Sequence, residues 1–275
     1  MEKGSSRKRK LDLGTLLGLL LAAGGILGGY LLEHGKPQGL IGESAAIIVL
    51  GGCLGATLVA NPLDQVRRSF GRMKDLLLET PDDKAELIDT LVGFSTRARK
   101  FGIVSLEQEA SELQDPFLRK SLMLAVDGMD LQEIRGAMQL AMDVEESRSE
   151  ADAKVYEAAG GFAPTIGIIG AVLGLIIVMG DLKDMGKVGT GIAAAFVATI
   201  YGVGTANILF LPAAHKIKFK AGLERERQEL ILEGVCGIVE GMNPKMIRTK
   251  LEAYCPPGAP AKKTAPAEES QPSAA

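Results

Sequence analysis

The sequence has no tryptophan, and aromatic residues make up only 4% of its 275 positions. The aromatic belt that anchors many membrane proteins at the headgroup level is therefore thin here, with Tyr30 and Tyr201 as small contributors. Its three cysteines, Cys53, Cys236 and Cys255, lie far apart without a CxxC spacing. That pattern implies neither a disulfide framework nor a zinc site, and leaves free thiols. No glycine-rich phosphate loop ending in GK[ST], no Cys/His pair beside a base and no metal-ligand cluster is present, which argues against an enzyme and against a cofactor. His34 and His215 fall at the ends of apolar runs, where a membrane surface explains them better than a reaction site does. A formal net charge of -3 lacks the basic excess of nucleic-acid binders. Alternating β-branched segments are also missing, so no sheet is expected.

What is abundant is apolar length: 47% of the residues are hydrophobic and 24% charged, and the mean hydropathy is +0.17. Gly160 to Gly180, GGFAPTIGIIGAVLGLIIVMG, carries no charge. At 1.5 Å per helical residue, a run of about 20 apolar residues matches a hydrocarbon core of about 30 Å. Pro164 near its start is tolerable in a membrane helix whose neighbours satisfy the freed carbonyl. Three further runs qualify: about Leu13 to Leu32, about Ser44 to Ala60, and Val188 to Leu211. The first is too long for the apolar region of a cleaved signal and is read as an uncleaved helix. Arg7, Lys8, Arg9 and Lys10 ahead of it, and His215, Lys216, Lys218 and Lys220 after the fourth, place both ends in the cytoplasm by the positive-inside rule. The short links between spans 1 and 2 and between spans 3 and 4 then face outward.

The expected architecture is an all-α membrane protein with four transmembrane helices and a cytoplasmic helical insert between the second and third. Residues 1–62 hold the basic N-terminus and spans 1 and 2, and residues 63–158 form the insert. Residues 159–213 hold spans 3 and 4, residues 214–255 a cytoplasmic helix packed on the insert, and residues 256–275 a disordered tail rich in Pro, Ala and Ser. Within the insert, apolar residues recur at helical spacing. Thr80-Pro81-Asp82-Asp83 predicts a break followed by capping carboxylates, and Asp115-Pro116 a second break. From Asp130 onward no breaker intervenes for about 28 residues, so one long helix should continue directly into the third span.

Small residues recur four apart within the spans, at Gly14/Gly18, Gly24/Gly28, Gly25/Gly29, Gly51/Gly55 and Gly170/Gly174. As a set they predict close helix packing or oligomerisation, because association in lipid rests on backbone approach. No span holds Asp, Glu, Lys, Arg or His away from its ends, although proton relays need ionisable groups. The polar groups there are Ser44, Thr57, Thr165, Thr190, Thr199, Tyr201, Thr205 and Asn207. Hydroxyls can line a hydrated path, or simply bond back to the preceding helical turn; neither use carries a proton near neutral pH. A transport machine built on this chain would need its titrating carboxylate from a partner.

With APTIGIIGAVLGL in the third span, ATIYGVG followed by Pro212 in the fourth, and RARKFGIVSLEQEA in the insert, the chain resembles the MotA/PomA stator subunits of the bacterial flagellar motor over nearly its whole length. Spans 3 and 4 are shared more loosely with ExbB/TolQ proton-channel subunits, which have three spans rather than four. The resemblance implies a multi-pass protein of the bacterial inner membrane, five copies around two copies of a MotB/PomB-like single-span partner that supplies the ion-carrying aspartate, and a FliG-like rotor protein engaged by the insert. Matched residue by residue, it implies rotor-facing charges at Arg99, Lys100 and Glu107. Glu109 is a weaker addition, since Gln108 interrupts the acidic run. Pro164 and Pro212 become the residues coupling ion flux to helix movement, and Thr199 the channel hydroxyl.

Sodium-driven members of that family carry a hydroxyl where this chain has Ala171. A methyl group cannot coordinate a hard cation, so the transported ion is expected to be the proton. Two competing readings remain open from sequence: an ExbB/TolQ-type energiser of another envelope machine, and an inert oligomeric membrane scaffold.

Overall fold

The computed structural model describes residues 11–80, 83–180 and 182–255, apart from the side chains of residues 75 and 187. The basic run Arg7 to Lys10, the Pro81-Asp82 part of the first break and the tail 256–275 lie outside the described residues. Among the described residues there is no strand, only a single antiparallel bridge between Leu11 and Leu78. Among the described residues, four helical stretches are long and apolar enough to cross a membrane: Leu13–Leu32, Pro37–Ala60, and runs within Leu131–Gly180 and Val188–Val239.

The first is α1 (Leu13–Leu32), started by Asp12, whose carboxylate accepts from the Thr15 N–H at 3.0 Å. The second is composite, with α2 (Glu43–Ala46), a π-helical turn at Ile47–Gly51 and α3 (Gly52–Ala60). After Asn61-Pro62 come α4 (Leu63–Gly71) and the short α5 (Met73–Leu76). The insert continues with α6 (Lys84–Phe101), α7 (Glu107–Glu112) and α8 (Pro116–Val126). The break at Asp115-Pro116 falls as expected between α7, which ends at Glu112, and α8, which Asp115 starts by accepting from the Phe117 and Leu118 N–H groups at 2.8 and 3.0 Å with Pro116 in the first helical position.

Helix α9 (Leu131–Gly180) is 50 residues long and runs through Pro164. This is the single long helix that the absence of breakers after Asp130 predicts. The fourth span begins in α10 (Met185–Gly204), widens into a π-helical turn at Thr205–Phe210, and continues as α11 (Leu211–Val239). Asn243 and Pro244 then open α12 (Pro244–Glu252).

One capping expectation is corrected. Asp83 stands at the N-cap of α6, but its side chain caps no backbone N–H. Its carboxylate instead accepts from Arg227 at 3.1–3.3 Å, and Arg227 also pairs with Asp115. A two-pronged charge-assisted bond to a guanidinium is roughly twice as strong as a neutral one, so the arginine outcompetes the helix terminus.

The chain divides into two compact units, Met1–Pro81 with Asp143–Leu223, and Asp82–Met142 with Glu224–Ala275. The boundary inside α9 falls earlier than residue 158, because the helix beyond Met142 makes its contacts with α4, α5 and the start of α11. Leu76, Ala153, Tyr156, Ala213, Ala214 and Ile217 form one buried cluster there. In the second unit, α6, α7, α8 and α12 enclose a core with the first turns of α9 and the last turns of α11. Leu91, Leu106, Leu122, Ile134, Met138, Leu230 and Ile231 are fully buried in it. The helix after the fourth span thus packs on the insert.

Candidate functional site

In the first unit, α9 and α10 meet along a stripe of small residues. A methyl group built on Gly202 would lie 2.5 Å from the Ala163 carbonyl oxygen, and one on Gly167 would lie 3.0 Å from the Ala198 carbonyl oxygen. The first is a backbone contact that only glycine permits, and the second is tight enough that a side chain would force the main chains apart by a few tenths of an ångström. The same line continues outward: a methyl on Gly170 would sit 2.9 Å from the Ala198 Cβ, and one on Gly174 3.2 Å from the Ala195 Cβ. The positions 163, 167, 170, 174 and 178 follow helical spacing and are buried or half-buried. Of the glycine pairs read from sequence, Gly170/Gly174 lies in this contact. Gly18, Gly24, Gly25, Gly28, Gly29, Gly51 and Gly55 meet nothing within 4 Å in the protomer.

Ala171 and Thr199 each follow directly on a residue of the Gly170–Ala198 contact, so the two stand at the same level of the helix pair. Both are half-buried. The Thr199 hydroxyl donates to the Ala195 carbonyl at 3.3 Å; Thr165, Thr190 and Thr205 donate to carbonyls three or four residues earlier at 2.8, 3.2 and 2.7 Å. Of the two uses open to these hydroxyls, back-bonding engages their protons and leaves their oxygen lone pairs as acceptors.

Pro164 follows Ala163 in α9 and removes the N–H that would bond the Gly160 carbonyl. Gly160 itself lies against Leu211, where a methyl would come within 2.7 Å of the leucine Cδ2. Leu211 directly precedes Pro212, which is exposed and removes the N–H that would bond the Ile208 carbonyl. Pro164 therefore stands near the Ala163–Gly202 contact and Pro212 near Gly160, more than a helical turn apart along the pair, with the π-helical turn Thr205–Phe210 lying between Gly202 and Pro212. Cys53, Ala159, Ala163 and Ala206 pack at the same junction, and the Cys53 thiol donates to the Ala159 carbonyl at 3.3 Å. In the last turn of α10, the Tyr201 hydroxyl donates to the Leu40 carbonyl at 2.7 Å and accepts from the Gly42 N–H at 3.3 Å.

A buried ionic cluster ties α9 to α4, and sequence reasoning missed it. Asp152 is fully buried and pairs with Arg68 at 2.7 Å and Arg72 at 3.3 Å. Arg72 also donates to Ser149 at 2.9 Å, and Tyr156 donates to the Ser69 carbonyl at 2.9 Å. The hydrogen bond to Asp152 raises the pKa of the Arg68 guanidinium further. The signal was present only as charges more than 80 residues apart in the chain.

In the second unit, the insert charges flank one turn. Arg99 and Lys100 occupy the last turn of α6, where cations favour the helix C-terminus, and Glu107 and Glu109 the first turn of α7, where anions favour the N-terminus. Gly102 reverses the chain between them at φ +84°, a conformation that residues with a side chain avoid. Buried Leu106 and Ala110 fasten the turn to the core. Arg99, Lys100 and Glu107 are exposed, whereas Glu109 is half-buried and pairs with Arg97. Phe101 and Val104, 73% and 62% exposed, stand among these charges and were not singled out from sequence.

A sequence profile of the MotA/TolQ/ExbB proton channel family matches residues 109–230, and one of the Motility protein A N-terminal region matches residues 16–102. The chain is 34% identical over 252 residues to Motility protein A of Helicobacter pylori, covering 92% of this chain and 98% of that protein. It is 30% identical over 247 residues to chemotaxis protein PomA of Vibrio alginolyticus, covering 89% and 95%. A solved structure of C. jejuni MotAB superimposes with a TM-score of 0.87 at 30% identity, covering 91% of this chain and 98% of that one. The flagellar MotAB stator complex from Bacillus subtilis gives 0.83 at 33% identity, covering 89% and 96%.

Proposed function

The chain belongs to the MotA/TolQ/ExbB proton channel family, and from that membership we propose that it serves as a proton-conducting stator subunit of the bacterial flagellar motor. It is a multi-pass inner-membrane protein that moves ions and turns a rotor, and not an enzyme. The observation that carries the proton reading is the contact between α9 and α10. It has backbone-to-backbone closeness at Gly167 and Gly202, hydroxyl oxygens beside it, and no ionisable side chain of its own.

A MotB/PomB-like single-span partner supplies the carboxylate that this helix pair lacks. Five copies of the chain surround that partner, with both termini and the insert in the cytoplasm. A proton passing from the partner's aspartate changes the packing of α9 around Pro164 and of the fourth span around Pro212, where each helix already lacks a bond and rearrangement costs least. Thr199 offers acceptor oxygen to the path, and Ala171 offers none to sodium. The turn carrying Arg99, Lys100, Phe101, Val104 and Glu107 engages a FliG-like rotor protein, with Glu109 holding the turn through Arg97 rather than reaching out. The match of residues 16–102 to the Motility protein A N-terminal region favours this over an ExbB/TolQ-type energiser, and an inert scaffold would give no flux. Co-expression with a partner, followed by a proton-leak assay and a motility assay, tests it.

A further inference from the structure

Helix α4 presents three faces. Val66 and Ser69 are buried, and the same side reaches α9: Gln65 donates to the Ala151 carbonyl at 2.6 Å and Arg68 to Asp152 at 2.8 Å. With that side fixed, the 100° step of the helix gathers Leu63, Arg67 and Phe70 on a neighbouring arc. Leu63 and Phe70 are 69% and 43% exposed, and Arg67 is exposed without an ion pair among the described residues. Beyond α4 the pattern continues with Lys74 in α5 and Leu77 just after it, both exposed.

This segment is held at the ends of three spans. It leaves the second span at Asn61-Pro62. Its far end is bound to the start of α1 by the Asp12 N–H, which donates to the Leu77 carbonyl at 2.8 Å. Just after the fourth span, Lys216 pairs with Asp12 and Lys220 donates to the Leu78 carbonyl. A helix tied to span ends at both of its termini lies at the level where hydrocarbon gives way to headgroups.

We infer that α4 and α5 form an interfacial strap, which binds anionic phosphate headgroups of the cytoplasmic leaflet through Arg67 and Lys74 while Leu63, Phe70 and Leu77 enter the acyl boundary. Exposed apolar side chains interleaved with unpaired cations are the complement of a negatively charged lipid surface. A second copy of the chain covering this face would have to bring acidic groups to the two cations. The inference rests on the cytoplasmic placement of the insert proposed above, but not on ion flux.

The absence of tryptophan from the chain supplies the test. Phe70→Trp places a single indole on the strap, and the full chain with its partner is reconstituted into phosphatidylcholine vesicles containing brominated phosphatidylglycerol or brominated phosphatidylcholine. The spectrum of the complex carrying Phe70 is subtracted. Quenching by both lipids is expected, with a preference for the anionic one that falls roughly fivefold for each cation removed in Arg67→Gln and Lys74→Gln. The charge-conserving pair Arg67→Lys and Lys74→Arg keeps the preference and controls for folding. No quenching by either lipid means that another chain covers the face and overturns the inference. Equal quenching by both, or a preference that survives the Gln pair, overturns it as well. Proton flux measured in the same vesicles reports separately on the stator reading.

Discussion

The α-carbon of Gly202 stands so close to Ala163 on the facing helix that an added methyl group would lie 2.5 Å from the Ala163 carbonyl oxygen. The obstacle is main chain, which cannot swing aside as a side-chain tip does. Gly202→Ala should therefore push α9 and α10 apart at the proposed ion path, destabilising the complex by about 1–3 kcal/mol and abolishing swimming. Gly204→Ala, two residues on and with open space around it, should leave both unchanged. Thermal unfolding of the purified complexes, alongside swimming speed, checks the contrast.

The pairing of Asp152 with Arg68 and Arg72 gives a second prediction. Removing one partner of a buried ion pair costs about 3–5 kcal/mol; Arg68 is 46% exposed and can regain water, so Asp152→Asn should fall near the lower end. Arg68→Gln should cost less, because Arg72 still pairs with the carboxylate. Unfolding midpoints in detergent would rank the two variants, and the opposite ranking would contradict the assignment of Asp152 as the hub.

At the turn of the insert, each exposed charge contact is worth about 0.2–1 kcal/mol. Single neutralisations at Arg99, Lys100 or Glu107 should slow the motor only mildly, and combined reversal of Arg99 and Glu107 should stop it. Phe101→Ala should weaken torque without lowering the unfolding temperature, since Phe101 packs against little of its own chain. Torque on tethered cells at matched expression checks both, and unchanged swimming in the multiply reversed variant would refute the rotor assignment.

A pH dependence follows from Asp12. Its hydrogen bond with Lys216, followed by that from the Thr15 N–H, lowers its pKa from 3.8 to about 2. A carboxylate depressed in the folded state contributes stability above its unfolded pKa and loses it as pH falls through the folded value. The tie between α1 and the fourth span's end should thus hold above about pH 4 and loosen between pH 4 and 2. Protection from hydrogen exchange at Thr15 and Leu16, corrected for intrinsic rates, should fall over that range in the native chain, and should be low and show no such transition in Asp12→Ala, which removes the cap.

The four spans, the unbroken α9 and the helix start at Asp115 were legible in the sequence, because apolar length, the lack of a breaker and an Asp-Pro pair are local signals. What escaped depended on partners distant in the chain. Asp83 reads as a cap until Arg227, 144 residues on, takes its carboxylate. The π-helical turns at Ile47–Gly51 and Thr205–Phe210 carry no composition of their own, and the close approach of Gly202 to Ala163 and Gly167 joins two spans rather than two positions within one. The charges around Gly102 could be named from resemblance, but the exposure of Phe101 and Val104 beside them and the Arg97–Glu109 pair required the fold.

The central claim is that this chain forms a proton path whose titrating group comes from a partner. Vesicles loaded with a pH-sensitive dye, carrying the chain with its single-span partner, with the partner's ion-carrying Asp replaced by Asn, or alone, measure it directly under an imposed proton gradient. Dye acidification is predicted only for the intact pair, and it should be the same with sodium or potassium outside. Acidification by the chain alone or with the Asn partner, or ion flow that requires sodium, would contradict it.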